Sequence, residues 1–266
     1  MPRKTIGLAL SGGGARGFAH VGVLKALAEH EIPIDYIAGT SAGAFVGGAF
    51  ASGMSADEIL TAGSGFNWLN VAAIAYSPRG LLSNAKMQAF ADKYFLAKTF
   101  EELKIPFAAT ACDIETGDEV IFSTSGDLVS AIRASCAIPG VFLPVENGDG
   151  RMYIDGGVVS PVPINAIKAF EPDIVIAVDL MACGASYWGK PRTLVGTIFQ
   201  SAMMLLRNAS RNQHYAADVV IAPEIAHIRP DQMSMAKELY ELGKSAAEGE
   251  IGKIKELLAD HRNAPA

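Results

Sequence analysis

Thr5-Ile-Gly-Leu-Ala-Leu-Ser-Gly-Gly-Gly-Ala-Arg-Gly17, then Ile34-Asp-Tyr-Ile-Ala-Gly-Thr-Ser-Ala-Gly43, are the two stretches that decide the fold. Thr5–Leu10 is a short apolar run ending in glycines, as expected of a buried strand stopped by a turn. Val21, Leu24, Leu27 and Ala28 then recur at helical spacing until Pro33. Ile34–Ala38 reads as a second strand, and Gly39–Gly43 turns straight into an Ala/Gly-rich helix ending near Gly53. Strand, glycine turn and helix, twice over, make a parallel α/β unit.

Outward from this unit, Ser55-Ala-Asp-Glu58 and Thr99-Phe-Glu-Glu102 match the capping box, so a helix is expected at each. Ser83 suits the cap of a helix through Met87, Phe90 and Tyr94. Pro106–Ile114 and Glu119–Phe122, around Thr116-Gly117, predict a hairpin, and Asp127 begins a helix reaching about Cys136. Asn147-Gly-Asp-Gly150 reads as a turn between short strands, the second being Arg151–Ile154. Asp173–Val178 and Asp218–Ala222 are further buried strands, and the last forty residues read as mostly helical.

At 266 residues and half hydrophobic, the chain can bury one large core, and no linker or low-complexity tract divides it. One domain over 1–266 is the default, its motifs within about 5–180 and a helical part at about 190–266. A net charge of −6 lacks the basic footprint that phosphate backbones require, so nucleic acid is not an expected partner. Cys112, Cys136 and Cys183 are scattered, form no CxxC, and read as buried fillers in a reducing compartment. The N-terminus is too short for a signal sequence, and neither Gly65–Leu82 nor Leu194–Leu206 makes a convincing membrane span, so a cytoplasmic location is expected. A local apolar face would still permit peripheral membrane contact. The sequence leaves the oligomeric state open.

Three motifs carry chemistry. Gly39-Thr-Ser41-Ala-Gly43 is GxSxG between strand and helix, where small neighbours let a serine sit on a sharp, strained turn with its hydroxyl exposed. Gly12-Gly-Gly14-Ala-Arg-Gly17 leaves backbone amides free to converge on an anion. It also fits the GxGxxG dinucleotide fingerprint, which requires an acid at the far end of the second strand. Asp35 precedes the apolar residues of that strand, and its far end carries Gly39-Thr-Ser41 instead, which disfavours a dinucleotide. Asp155-Gly-Gly157 places a lightly shielded carboxylate at a strand end, although an ordinary Asp-Gly turn has the same letters.

Together and in this order, the three motifs resemble the patatin-like phospholipase family, with smaller echoes in Gly17-Phe-Ala-His-Val-Gly-Val-Leu24 and Ala134-Ser-Cys-Ala-Ile-Pro-Gly140. The resemblance implies a three-layer α/β/α sandwich with a mostly parallel sheet. It implies Ser41 as nucleophile and Asp155 as general base in cleaving acyl esters of phospholipids or related lipids. It also implies an oxyanion loop of Gly12, Gly13, Gly14 and the Arg16 neighbourhood. Ala42, which comes directly after the nucleophile, adds an amide, and Gly17, Gly39, Gly43, Gly156 and Gly157 complete the motifs.

A histidine base is the usual alternative, and the order Ser41, Asp155 or Asp179, then His214 or His227 mimics an α/β-hydrolase. Too few strands precede the serine for that fold, and neither histidine sits in a glycine-supported loop. His20 reads as a satisfied, partly buried helix residue, and His30 and His261 as surface residues. A Ser–Asp dyad is therefore expected, with no metal or organic cofactor, since no HExxH, EF-hand loop or ligand cluster is present. Residues 65–82, with Phe66, Trp68, Leu69, Val71 and Ile74, fit an acyl-pocket wall or flap or a core helix. Met203–Leu206, beside Arg207 and Arg211, fit the core or a lipid contact. Hydrolysis of small soluble esters or acyl carriers, and non-catalytic lipid binding, remain as alternatives.

Overall fold

The computed structural model describes residues 3–64, 72–77, 79–146, 148, 150–184 and 189–260. Its strands are β1 Ile6–Leu10, β2 Tyr36–Thr40, β3 Ala73–Ser77, β4 Gly80–Ser83, β5 Phe107–Asp113, β6 Glu119–Phe122, β7 Val145–Glu146, β8 Met152–Asp155, β9 Ile174–Val178 and β10 Val219–Ile221. Its helices are α1 Phe18–Glu29, α2 Ala42–Ala51, α3 Ala56–Ser64, α4 Lys86–Tyr94, α5 Leu128–Ser135, α6 Ile164–Lys168, α7 Leu194–His214 and α8 Ala236–Ala259.

The strands β10, β9, β1, β2 and β5 pair in that order, all parallel. Strand β5 has two edges, and the way they are shared sets up the site. Antiparallel β6 takes one edge, with Ala109 opposite Phe122 through Cys112 opposite Glu119. On the other edge β2 pairs as far as Thr40–Thr110, and antiparallel β8 takes over at the next residue, with Asp155 opposite Ala111. The C-terminal ends of β2 and β8 therefore meet head to head on consecutive residues of β5. The sheet is α/β and mostly parallel, flanked by helices, as the sequence indicates.

Strands buried on both faces read as continuous apolar runs, and here residue size alternates with the pleat. Ile6, Leu8, Leu10, Ile37, Phe107, Ile176 and Val178 face the thick layer formed by α1, α2, α3 and α8. Ala9, Ala38, Ala108 and Ala177 face the other side, where α6 packs Ile164 and Ile167. The sandwich is thus unequal: small side chains allow the five-residue α6 to lie close. Helix α8 crosses α1 through two glycines: a Cβ on Gly22 would lie 1.9 Å from the Tyr240 carbonyl, and one on Gly243 2.0 Å from that of Ala19.

Several local expectations shift. Thr99 does form a capping box with Glu102, but only one 3-10 turn comes after it, Phe100–Glu102, because Ile105-Pro106 leads directly into β5. Ser55 and Glu58 close their box at the head of α3, with both bonds to the carboxylate at 2.8 Å. Of residues 65–82, those at 65–71 and 78, including Phe66, Trp68, Leu69 and Val71, lie outside the described residues. The remainder opens an antiparallel β3–β4 hairpin rather than a core helix. Asp35 clamps Arg3 at 2.6 and 2.7 Å and the Ile6 amide at 2.8 Å, a structural task at the start of β1.

Candidate active site

Ser41 is the hinge between β2 and α2, with φ 53° and ψ −118°, a backbone conformation strained for any residue but glycine. Its neighbours explain how it is held there. A Cβ on Gly39 would lie 2.4 Å from the Gly43 carbonyl, and one on Gly43 2.1 Å from the Leu10 carbonyl. Any side chain at either position would force the turn open. The Ser41 amide donates to Ser135 Oγ at 2.8 Å, and that hydroxyl in turn donates to the Thr110 carbonyl at 2.6 Å. Ser135 is fully buried at the end of α5, so it fastens the turn to β5 at the residue where β2 pairing ends.

Asp155 ends β8 on the neighbouring register position. Its Oδ1 accepts the Gly157 amide at 2.8 Å, its own amide donates to Ala137 O at 2.9 Å, and a Cβ on Gly156 would lie 2.1 Å from the Thr110 carbonyl. Its Oδ2 is buried with no hydrogen-bond partner among the described residues. The Ser41 hydroxyl lies near enough to the carboxylate to pull its pKa down. Burial outweighs this pull and that of the Gly157 amide, and lifts the Asp155 pKa to about 6.

The glycine loop supplies fewer donors than its letters offer. The Gly12 amide is engaged by the Pro161 carbonyl at 3.0 Å and that of Ala15 by Pro230 at 2.7 Å. Among the described residues, the amides of Gly13, Gly14 and Ala42 have no acceptor; the first two open a 3-10 turn and the third opens α2. Gly14 has φ +58°, and a Cβ there would lie 2.6 Å from the Pro230 carbonyl, so only glycine fits. Arg16 turns away from this loop: its buried guanidinium donates to the carbonyls of Ile228 at 2.8 Å, Leu180 at 3.2 Å and Gly184 at 3.4 Å. The expected set of Gly12, Gly13, Gly14, Arg16 and Ala42 narrows accordingly to three available amides. Gly17 serves packing, since a Cβ would lie 2.9 Å from that of Ala42.

Ser41 opens onto an apolar cavity enclosing about 890 Å³ of atom-free space, its mouth included. Phe18, Ala49, Met54, Ile59, Phe90 and Phe95 are among its walls, drawn from or adjoining α1 to α4. Cys136 also lines it, its Sγ 3.2 Å from the Ser41 carbonyl and its thiol pushed well above the usual range by burial. The cysteine is thus more than a filler, while Cys112 is buried away from this wall and Cys183 is half-buried.

Among the described residues, no histidine bonds Ser41 or Asp155. His20 is completely buried, donating through Nε2 to Ser11 O at 2.8 Å, with Nδ1 unpartnered among the described residues; it is less satisfied than its sequence position suggests. Burial lowers its pKa to about 4, against the upward effects of the Ser11 carbonyl and Asp179. His214 Nδ1 lies 2.8 Å from Asp179, whose same oxygen accepts the Ser210 hydroxyl. His30 pairs with Glu248 and His227 with Glu238, and His261 lies outside the described residues. No group of three or more His, Cys, Asp or Glu in metal-binding arrangement occurs among the described residues.

A family model described as patatin-like phospholipase matches residues 8–167. An uncharacterized NTE family protein of Mycobacterium tuberculosis is 40% identical over 178 residues, covering 66% of this chain and 49% of the relative. Patatin-like phospholipase domain-containing protein 7 of Rattus norvegicus is 33% identical over 186 residues, covering 66% of this chain and 14% of that protein. The chain thus spans about half the length of the first of these relatives and far less of the second. Among solved structures, VipD from Legionella pneumophila superposes with a TM-score of 0.52 at 14% identity, over 95% of this chain and 67% of that one. The type III effector protein ExoU superposes with a TM-score of 0.50 at 13% identity, over 96% and 54%. At such identities these two structures speak to the fold alone.

Proposed function

Because the chain belongs to the patatin-like phospholipase family, we propose that it is a serine acyl hydrolase of phospholipids or related lipids, with Ser41 as nucleophile and Asp155 as base. The observation that carries this reading is the position of Ser41: strained, at the head of α2, beside a half-bonded buried carboxylate and lining an apolar cavity. The cavity suits an acyl chain, which has no polar group beyond its ester to be desolvated.

In the proposed cycle Asp155 Oδ2 takes the hydroxyl proton as Ser41 Oγ bonds to the ester carbonyl carbon. The carbonyl oxygen becomes an oxyanion, held by the amides of Gly13, Gly14 and Ala42 and favoured by the positive end of α2. As the tetrahedral species collapses, the C–O bond to the leaving alcohol breaks and the alcohol takes the proton from Asp155. Water then attacks the acyl-enzyme, giving its proton to Asp155, which returns it to Ser41 as the fatty acid departs. A carboxylate with an ordinary pKa would be a weak base, and the upward displacement of Asp155 brings it nearer to neutral working conditions.

The decisive experiment is turnover of a p-nitrophenyl ester series, acetyl to palmitoyl, and of dispersed phospholipid, by wild type and Ser41→Ala. Loss of all turnover in the variant, with a preference for long chains in the wild type, is the expected result. Equal rates in both proteins would overturn the assignment of Ser41.

A further inference from the structure

Among the described residues, the side-chain bonds that tie helix α7 to the loops at the sheet end come from its C-terminal part. Near its C-terminal end, Ser210 and His214 both bond the buried carboxylate of Asp179, and Gln213 bridges the Val162 amide at 3.0 Å and the Val159 carbonyl at 3.1 Å. Its other half runs over Leu194–Leu206 without a charged residue, yet Leu194 is 77% exposed, Ile198 61% and Leu205 70%. At about 100° per residue these three lie within about 40° of one another, as one apolar stripe facing solvent. The exposed Ser201 borders this face, and a group of exposed large apolar side chains marks a surface that meets a partner or lipid.

Charge indicates what covers it. From Leu180 to Ala217 there is no Asp or Glu, whereas Lys190, Arg192, Arg207 and Arg211 all fall in this stretch. In a chain of formal charge −6 that leaves −10 on everything else. Lys190 and Arg192, both exposed, precede the stripe and Arg211 is exposed beyond its other end, while Arg207 is half-buried against Gly184 on the opposite face. An apolar stripe with exposed cations at its ends, on an otherwise acidic molecule, complements an anionic lipid surface. The two anchors of α7 also fix its side of the molecule. Asp179 comes directly after β9, and Val159 and Val162 come after the Asp155-Gly-Gly turn, so both lie in loops at the sheet end that carries Ser41. On the same loop Val158, next to Gly157, is 45% exposed.

We propose that the outward half of α7 is an interfacial helix that docks the protein on anionic lipid surfaces at the active-site end of the sheet. The choice of lipid over a second protein rests on the acyl-hydrolase reading, and binding is measured separately from turnover. The full chain carrying Ser41→Ala, which leaves vesicles intact, is sedimented with vesicles of phosphatidylcholine alone and of phosphatidylcholine mixed with phosphatidylglycerol. Binding to the mixed vesicles that weakens with added salt is expected. Ile198→Glu with Leu205→Glu weakens it by at least about tenfold, and Lys190→Gln or Arg192→Gln by about fivefold each. In the wild-type background the same substitutions leave hydrolysis of a soluble p-nitrophenyl ester unchanged, which also shows that the variants fold. Docking is overturned if the mixed vesicles do not retain the protein, or retain the Glu double variant equally. It is equally overturned if light scattering finds a dimer that the double variant abolishes and vesicles bind neither protein, since the stripe then joins two copies. Ester turnover without vesicle binding removes the docking helix and leaves the hydrolase, and vesicle binding without ester turnover does the reverse.

Discussion

With a folded-state pKa near 6 against about 3.9 for an unfolded aspartate, Asp155 binds its proton more tightly in the native protein. Stability associated with this group is fully present below about pH 4 and is lost as pH rises through 6. Asp155→Asn removes that loss: thermal melting at pH 8 should show the variant more stable, by on the order of 3 kcal/mol, with the difference closing towards pH 4. Activity runs the other way, because the base must be ionised. The rate kcat/KM for a soluble ester should fall tenfold per pH unit below about 6, and Asp155→Asn should lose most turnover at every pH. Ser135 makes a separate prediction. Its hydroxyl holds the Ser41 amide to Thr110, so Ser135→Ala should lower kcat by about tenfold or more with KM little changed, because the nucleophile moves while the acyl cavity does not.

Helix α8 carries glycines of two kinds, and the distinction is testable by melting temperature. Gly243 and Gly22 let α8 and α1 approach until backbone touches backbone, so Gly243→Ala should destabilise by about 1–3 kcal/mol or more as the helices are forced apart. Gly249 and Gly252 meet nothing within 4 Å of a Cβ, so alanine at either should stabilise by up to about 1 kcal/mol through helix propensity. Sequence alone does not separate the two kinds, since all are small residues within one helical pattern. The two capping boxes differ in the same way. Ser55-Ala-Asp-Glu58 heads a helix and Thr99-Phe-Glu-Glu102 a single turn, although their local chemistry is the same. The chain downstream of each box, an open helical run in one case and a strand entering the sheet in the other, decides the outcome.

Across the whole molecule, the depth of the cavity should set chain-length preference. Ala49 stands about 10 Å along α2 from Ala42, far from the nucleophile yet on the same wall. Ala49→Leu should therefore shift the optimum of the p-nitrophenyl ester series to shorter chains while sparing the acetyl ester. Unchanged selectivity would show that acyl chains leave the cavity before reaching that point. The described residues contain no helix long and apolar enough to cross a membrane.

The two β-turn-α units, their glycine turns and the parallel sheet were determined by the sequence itself, because strand period, helix period and the need for glycine at a tight turn are local properties. The motif letters also singled out Ser41 and Asp155 as candidates by their resemblance to a family. Their meeting was decided by tertiary structure: β8 takes over the edge of β5 one residue after β2 leaves it, a register that depends on pairing between segments 40 to 70 residues apart. The same long-range contacts decided which loop amides have no acceptor among the described residues. Gly12 is occupied by Pro161 and Arg16 by three distant carbonyls, leaving Gly13, Gly14 and Ala42, a selection no local pattern encodes. Ser135 stood within a motif without a visible role, because its function depends on two backbone groups brought to it by β2 and β5.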